Sequence, residues 1–304
     1  MHGDKERGQI LRLLQATPKE GVLILREDVL GWTLSTIKRF GIRPKQRLGQ
    51  NFVVDKSLIE CMIDSAKIEH DEVVLEVGAG IGTLTLRLAE RARKVIAVES
   101  DRNVARALSN TLVATGMDNV EIVIGDILEM AIPRVDKIVS NLPFSISTPL
   151  TIKILKDCSF KLAVLTYQKE VADKLLARPG ESEYSRLSVV TTLLGEVERV
   201  RDFPPEAFYP KPKVSSTVVT VKKRSCDFME WAALEETLKI LFSQRRRKLK
   251  KAIESYCKIK GLDRERVIRR IDDRLLMRRV FELEPDDFIY LSRRIGGMNA
   301  KSQV

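Results

Sequence analysis

Cysteine and histidine are scarce, four and two in 304 residues. Cys61, Cys158, Cys226 and Cys257 lie far apart with no C-x-x-C pair, which argues against a disulfide framework or a zinc site, and no metal is expected. No run approaches the ~20 consecutive apolar residues that cross a bilayer, and the opening MHGDKERGQI lacks the apolar core of a secretory signal. The expected location is the cytoplasm. Asparagine and glutamine total only 13 against 95 charged residues, a bias compatible with a thermophilic source. What is plentiful is apolar side chain, 44%, and charge, 31%, enough for a packed core and too much apolar content for a disordered chain. The length corresponds to about two domains at ~150 residues each.

Lys and Arg outnumber Asp and Glu by 53 to 42, unevenly: residues 223–304 carry 21 basic and 13 acidic residues, and residues 1–222 only a net +3. Such asymmetry favours a polyanionic partner, because neutralised phosphates release counterions. Nucleic acid is the first candidate and an acidic membrane surface the second.

Residues 1–40 contain two amphipathic stretches, Gln9 to Gln15 and Gly21 to Phe40, read as an N-terminal helical extension without an assigned role. From Val73 short β-branched runs recur: VVLEV (73–77), KVIAV (94–98), VEIVI (120–124), KIVSN (137–141) and KLAVLTY (161–167). Apolar on both faces, they are expected as buried parallel strands, with helical segments such as Thr83 to Arg91 and Asn103 to Thr115 between them. Two further runs, 197–203 and 215–223, are separated only by a proline-rich loop, so they are expected to pair antiparallel. This layout resembles class I methyltransferases: α/β, Rossmann-like, with a seven-stranded mixed sheet. After Arg224 four helices are expected, at 229–242, 246–256, 264–270 and 286–295. The domains are therefore read as a sheet domain over 41–223 and a small basic α-helical domain over 224–304.

EVGAGIGTLT, Glu76 to Thr85, joins a strand to a helix. Gly78 and Gly80 let the backbone turn tightly and approach a ligand beside the unpaired N–H groups of a helix start. The dinucleotide fingerprint G-x-G-x-x-G would need glycine where Thr83 stands, which favours an adenosine cofactor other than NAD or FAD. Glu99, ending the next strand, is placed to accept from ribose hydroxyls, whereas Ser100 or Asp101 suits a helix cap better. Asp126 is either a turn former or an acceptor for an adenine amine. NLPF, Asn141 to Phe144, ends the fourth strand at the carboxyl edge where open α/β sheets bind ligands. An exocyclic adenine amine is a poor nucleophile because its lone pair is delocalised. The Asn141 side-chain carbonyl and a backbone carbonyl near Pro143 can accept its N–H bonds and favour a pyramidal nitrogen, while Phe144 stacks on a flipped base.

RLGQNFVVD (47–55), QKEVADKL (168–175), YSRLSVV (184–190), FYPKPKVSS (208–216) and FSQRRRKLKKAI (242–253) flank EVGAGIG, VES, GDIL and NLPF. With these nine ordered motifs the chain closely resembles the KsgA-type ribosomal RNA adenine dimethyltransferases of the small subunit, from about Pro44 to Ile295. The resemblance implies S-adenosylmethionine as cofactor, bound by Gln50, Asn51, the Val53 backbone, Gly78, Gly80, Glu99, Asp126 and Asn141. It also implies a catalytic set of Asn141, Pro143, Phe144 and Phe208, in which Phe208 stacks on the second face of the target base. The implied partners are the small ribosomal subunit precursor and its rRNA, with no membrane and a monomeric enzyme. In this family two neighbouring adenosines near the RNA's 3′ end each take two methyls at N6. Tyrosine is the family's usual residue where Phe144 stands, and the N-terminal extension has no counterpart.

RRRKLKK, Arg245 to Lys251, holds six basic residues of seven and no acid. It is expected as a phosphate-contacting helix presenting Arg245, Arg246, Arg247, Lys248, Lys250 and Lys251, with Lys211 and Lys213 near the flanking phosphates. The rivals are the large-subunit dimethyltransferase that confers macrolide resistance, against which RLGQNF and the long basic tail argue, and an assembly factor whose binding outweighs its catalysis. A glutamine or DNA-amine methyltransferase is disfavoured, since it carries an Asp/Asn-Pro-Pro-aromatic variant.

Overall fold

A computed structural model of the chain describes residues 28–45, 48–224 and 230–295. The stretch Gln9 to Gln15, the start of the second amphipathic stretch and Cys226 lie outside these residues. Two compact units emerge. The first comprises residues 28–172 and 197–223, and the second 173–196 and 224–295.

In the first unit, helix α1 (Val29–Arg39) starts at Asp28, whose side chain accepts from the Gly31 N–H at 2.8 Å. Its apolar stripe, Val29, Trp32 and Ile37, is buried in the same core as Val74, Val95 and Val139 of the sheet. Residues 28–40, read from the sequence as an extension, thus belong to the sheet's own core. Strand β1 (Phe52–Val53) follows, then α2 (Lys56–Ala66), β2 (Val73–Val77), α3 (Thr85–Ala89), β3 (Lys94–Glu99), α4 (Arg102–Thr115), β4 (Val120–Ile124), β5 (Lys137–Asn141), α5 (Ser147–Asp157) and β6 (Leu162–Gln168). Helices α6 (Lys169–Leu176) and α7 (Arg186–Leu194) lead to β7 (Gly195–Phe203), β8 (Phe208–Tyr209) and β9 (Ser216–Lys223).

Seven strands form one sheet in the order β4-β3-β2-β5-β6-β9-β7, and β1 pairs with β8 apart from it. The pairs among β2 to β6 are parallel, and β9 runs antiparallel to β6. The Arg224 N–H donates to Leu194 O at one end of the β7–β9 pair, and the Thr217 hydroxyl reaches Asp202 at the other, so these strands also run oppositely, as expected. One expectation needs correction. VEIVI is not buried on both faces: β4 is the edge of the sheet and leaves Glu121 and Ile124 exposed.

The chain moves outward from β2 to β3 and β4, then returns to the other side of β2 for β5 and β6. The strand order therefore reverses between β2 and β5, and a crevice opens beyond their carboxyl ends. Glu76 to Gly80 and Asn141 to Phe144 both leave the sheet there.

The second unit contains α7, α8 (Trp231–Phe242), α9 (Leu249–Lys260), α10 (Arg264–Ile268), α11 (Asp273–Met277) and α12 (Pro285–Ile295). Tyr184, fully buried, donates to Leu283 O at 2.9 Å, and its ring meets that of Phe242 at 5.8 Å. Such contacts group residues 173–196, read from the sequence with the sheet domain, with the C-terminal helices. The short α11 was not legible as a separate helix.

Candidate active site

The crevice is a cleft of about 400 Å³ built entirely within the first unit. Gln50, Asn51, Val53, Gly78, Gly80, Glu99, Asp126, Asn141 and Pro143 all line it. Nine positions chosen from sequence, spread over 94 residues, thus meet at one place.

Gly78 and Gly80 have φ of +74° and +60°, a left-handed region that residues with a Cβ adopt at a cost. A Cβ on Gly78 would stand 2.9 Å from Pro143 Cγ, so the glycine turn and the NLPF corner are packed against each other. Gly49, at +64°, fits for a similar reason, since its Cβ would reach within 2.8 Å of the Phe144 nitrogen. The segment before β1 therefore lies directly on the NLPF backbone.

Glu99 is 6% exposed and clamps two elements. One oxygen accepts from the Gly80 N–H and the other from the Asp101 N–H, both at 2.9 Å. Burial raises its pKa, and those N–H groups oppose the rise. Asp101 takes the capping role expected near this position, accepting from the Asn103 N–H at 3.0 Å. Its other oxygen holds Lys45 at 2.6 Å. Burial works against its ionisation, but Lys45 and the helix N–H groups prevail and keep the carboxyl below the usual range. Lys45 in turn gives its N–H to the Gln50 side chain at 2.8 Å, so Gln50 ties the segment before β1 to the exit of β3. Asp126 is the turn former the sequence allowed. Its Oδ1 accepts from the Leu128 N–H at 2.9 Å as a turn former, and the residue also lines the cleft.

Asn141 sits at the tip of β5. Its amide nitrogen donates to Asn51 O at 3.0 Å and its amide oxygen accepts from Thr166 at 2.5 Å. Pro143 O accepts from the Ile146 N–H at 3.1 Å, closing a short turn at Phe144–Ile146. Val53 pairs with Phe208 across β1 and β8, which brings Phe208 beside the site. The Phe144 and Phe208 rings meet edge to face, with centroids 6.1 Å apart and planes at 67°. A base held between two rings needs parallel faces ~7 Å apart, two van der Waals contacts of ~3.5 Å, so these rings do not form a ready slot. One ring must turn for a base to enter.

Glu76 was missed. It lines the cleft at 2% exposure, and one of its carboxylate oxygens has no hydrogen-bond partner among the described residues. Burial above all, with the Glu99 charge adding to it, pushes its pKa up to about 8. In sequence it reads as one more residue of an apolar strand, and only its glutamate identity in VVLEV was a signal.

The basic run is corrected. Helix α8 ends at Phe242 and α9 begins at Leu249, so Arg245 to Lys248 form a turn rather than a helix face. Arg245 points inward, with its guanidinium over Phe281 at 5.8 Å and donating to Ser182 O. Arg247 bonds Gln244 at 3.1 Å and Lys251 pairs with Glu254 at 3.1 Å. Arg246, Lys248 and Lys250 are exposed, and the buried Leu249 anchors the turn between them. In the first unit Lys211 is exposed and paired with Glu206, and Lys213 is exposed.

A glycine-turned loop and an asparagine corner meeting at the β2–β5 reversal, on a sheet closed by the antiparallel β9, define a class I methyltransferase, for which the methyl donor is S-adenosylmethionine. The cleft suits that donor, because Gly78 and Gly80 bring bare backbone to its wall and Glu76 leaves a buried oxygen unpaired among the described residues. Residues 41–280 match the model of the ribosomal RNA adenine dimethylase family, and the chain belongs to that family. It is an S-adenosylmethionine-dependent rRNA adenine dimethyltransferase. A probable ribosomal RNA small subunit methyltransferase A of Methanothermobacter thermautotrophicus is 40% identical over 272 residues, 89% of this chain and 97% of that one. Its counterpart in Pyrococcus abyssi is 39% identical over 83% and 91% of the two chains. Among solved structures, a dimethyladenosine transferase from Plasmodium falciparum superposes with a TM-score of 0.70 at 27% identity, covering 79% of this chain and 95% of that one. The 23S rRNA methyltransferase ErmE gives 0.58 at 29%, covering 81% and 99%. Among the described residues no helix is long and apolar enough to cross a membrane.

Proposed function

We propose that this enzyme converts two adjacent adenosines near the 3′ end of small-subunit rRNA to N6,N6-dimethyladenosine, acting as a monomer in the cytoplasm on the precursor subunit and contributing to its maturation. Asn141 carries this reading: it ends β5 and lines the cleft together with Glu99 and the glycine loop. The small-subunit names of relatives 35–40% identical support the choice of subunit.

The donor, when bound, supplies a methyl group on a positively charged sulfur. Glu99 accepts from its ribose hydroxyls, Asp126 from its adenine amine, and Gly78, Gly80, Gln50, Asn51 and Val53 enclose the remainder. Asn141 and a carbonyl near Pro143 accept from the target amine and withdraw its lone pair from the ring. Phe144 and Phe208 stack on the flipped base once one of them has turned. Arg246, Lys248 and Lys250, with Lys211 and Lys213, contact phosphates, and the helical unit over residues 224–295 serves as an RNA-binding domain.

ErmE's likeness supports a second reading, action on the large subunit. Purified, unmethylated small- and large-subunit precursors incubated with enzyme and labelled donor separate the two. Label confined to the large subunit would overturn the proposal.

A further inference from the structure

We propose that Thr166 is a positioning residue that sets the orientation of the Asn141 amide and leaves its oxygen one free lone pair for the target amine. The inference rests on the reading that Asn141 accepts from that amine. Thr166 lies directly opposite Asn141 in the parallel β5–β6 register and is fully buried, a hydroxyl in a strand otherwise apolar from Leu162 to Leu165. The contacts determine which amide atom faces which neighbour. Asn51 O is a peptide carbonyl and can only accept, so the Asn141 nitrogen faces it at 3.0 Å. The amide oxygen therefore faces Thr166, whose hydroxyl donates to it at 2.5 Å.

The two holders differ in kind. Asn51 belongs to the segment before β1, which is tied to the exit of β3 through Lys45 and Asp101 and lies over the cleft. Thr166 belongs to a central strand paired on both sides, and its β-branched side chain has few rotamers to choose from. Of the two partners, Thr166 is therefore the one fixed by the sheet. Were the amide reversed, its NH2 group would meet the N–H of the incoming amine, donor against donor. A carbonyl oxygen has two lone pairs; with one engaged by Thr166, the other accepts a single N–H. The target amine offers at least one N–H in both rounds, since the monomethylated amine retains one.

The test compares T166V, T166S and N141A in the full-length enzyme on precursor subunits, measuring kcat, S-adenosylmethionine Kd and thermal midpoint. Valine keeps the branched shape and removes the donor. The expected result is a kcat lowered roughly five- to thirtyfold, with cofactor Kd unchanged and the thermal midpoint lowered by only a few degrees, the cost of the lost buried hydrogen bond. T166S, which restores the hydroxyl, should return kcat to within about twofold of the parent. Full activity in T166V beside an inactive N141A overturns the role of Thr166 alone, and full activity in N141A overturns the reading of the site beneath it. A T166S as slow as T166V, or a Kd that weakens in step with kcat, would make Thr166 a packing residue and overturn the proposal.

Discussion

Replacing Glu76 by glutamine should make the protein more stable at alkaline pH and leave it nearly unchanged in acid. Glu76 is buried in the cleft wall with its pKa pushed up to about 8, against 4.5 for an ordinary glutamate. Across that interval the folded chain retains a proton that the unfolded chain releases. The contribution of Glu76 to stability is therefore fully present below pH 4.5, drains away as pH rises, and is gone above about 8. At about 1.4 kcal/mol per pH unit the whole span is worth roughly 5 kcal/mol, with relaxation and water entry reducing the observed value. Between about pH 5.5 and pH 8.5 the advantage of Glu76→Gln should grow by roughly 3 kcal/mol. Urea unfolding of parent and variant, followed by circular dichroism at several pH values in that range, measures it. Profiles that remain parallel would refute the idea that Glu76 is held protonated by burial.

Glu99→Ala removes a charged acceptor and unclamps Gly80 from the start of α4, so S-adenosylmethionine affinity by calorimetry should fall roughly tenfold to a hundredfold with the fold retained. Unchanged affinity would place the ribose elsewhere. Phe144→Leu should spare cofactor binding and lower turnover on ribosomal particles, by a stacking contribution of ~1 to 3 kcal/mol. Full activity would reduce Phe144 to packing against Phe208. Changing Arg246, Lys248 and Lys250 to Gln should weaken particle binding and flatten its salt dependence by about one unit of slope per lost phosphate contact. Arg245→Gln should instead lower thermal stability, because that side chain is spent on Ser182 and Phe281; a salt-slope change without a stability change would return it to the RNA surface.

Local chemistry determined much of this protein in advance. VVLEV, VEIVI and KIVSN become β2, β4 and β5 with the limits their β-branched runs mark, because strand formation follows side chains that suit a pleated surface whether it is buried, as in β2 and β5, or half-buried, as in β4. The positive φ values at Gly78 and Gly80 and the cap at Asp101 are likewise consequences of single residue types, and the cleft lining could be named because strand ends in an open α/β sheet converge at the order reversal. What sequence could not decide are pairings between residues brought together by register. That Gly78 meets Pro143, that Thr166 stands opposite Asn141, and that Phe208 reaches Phe144 edge-on depend on which strands become neighbours. The basic run shows the same limit at the surface: six like charges are indistinguishable in one dimension, yet a buried Leu249 and the packing of Phe281 turn Arg245 inward and leave the other five outside. The grouping of residues 173–196 with the C-terminal helices follows from contacts such as Tyr184 with Leu283, 99 positions apart in the chain. Periodicity and turn chemistry act over a few residues and are written in order along the chain, whereas burial, charge state and orientation are set by neighbours that only the folded backbone supplies.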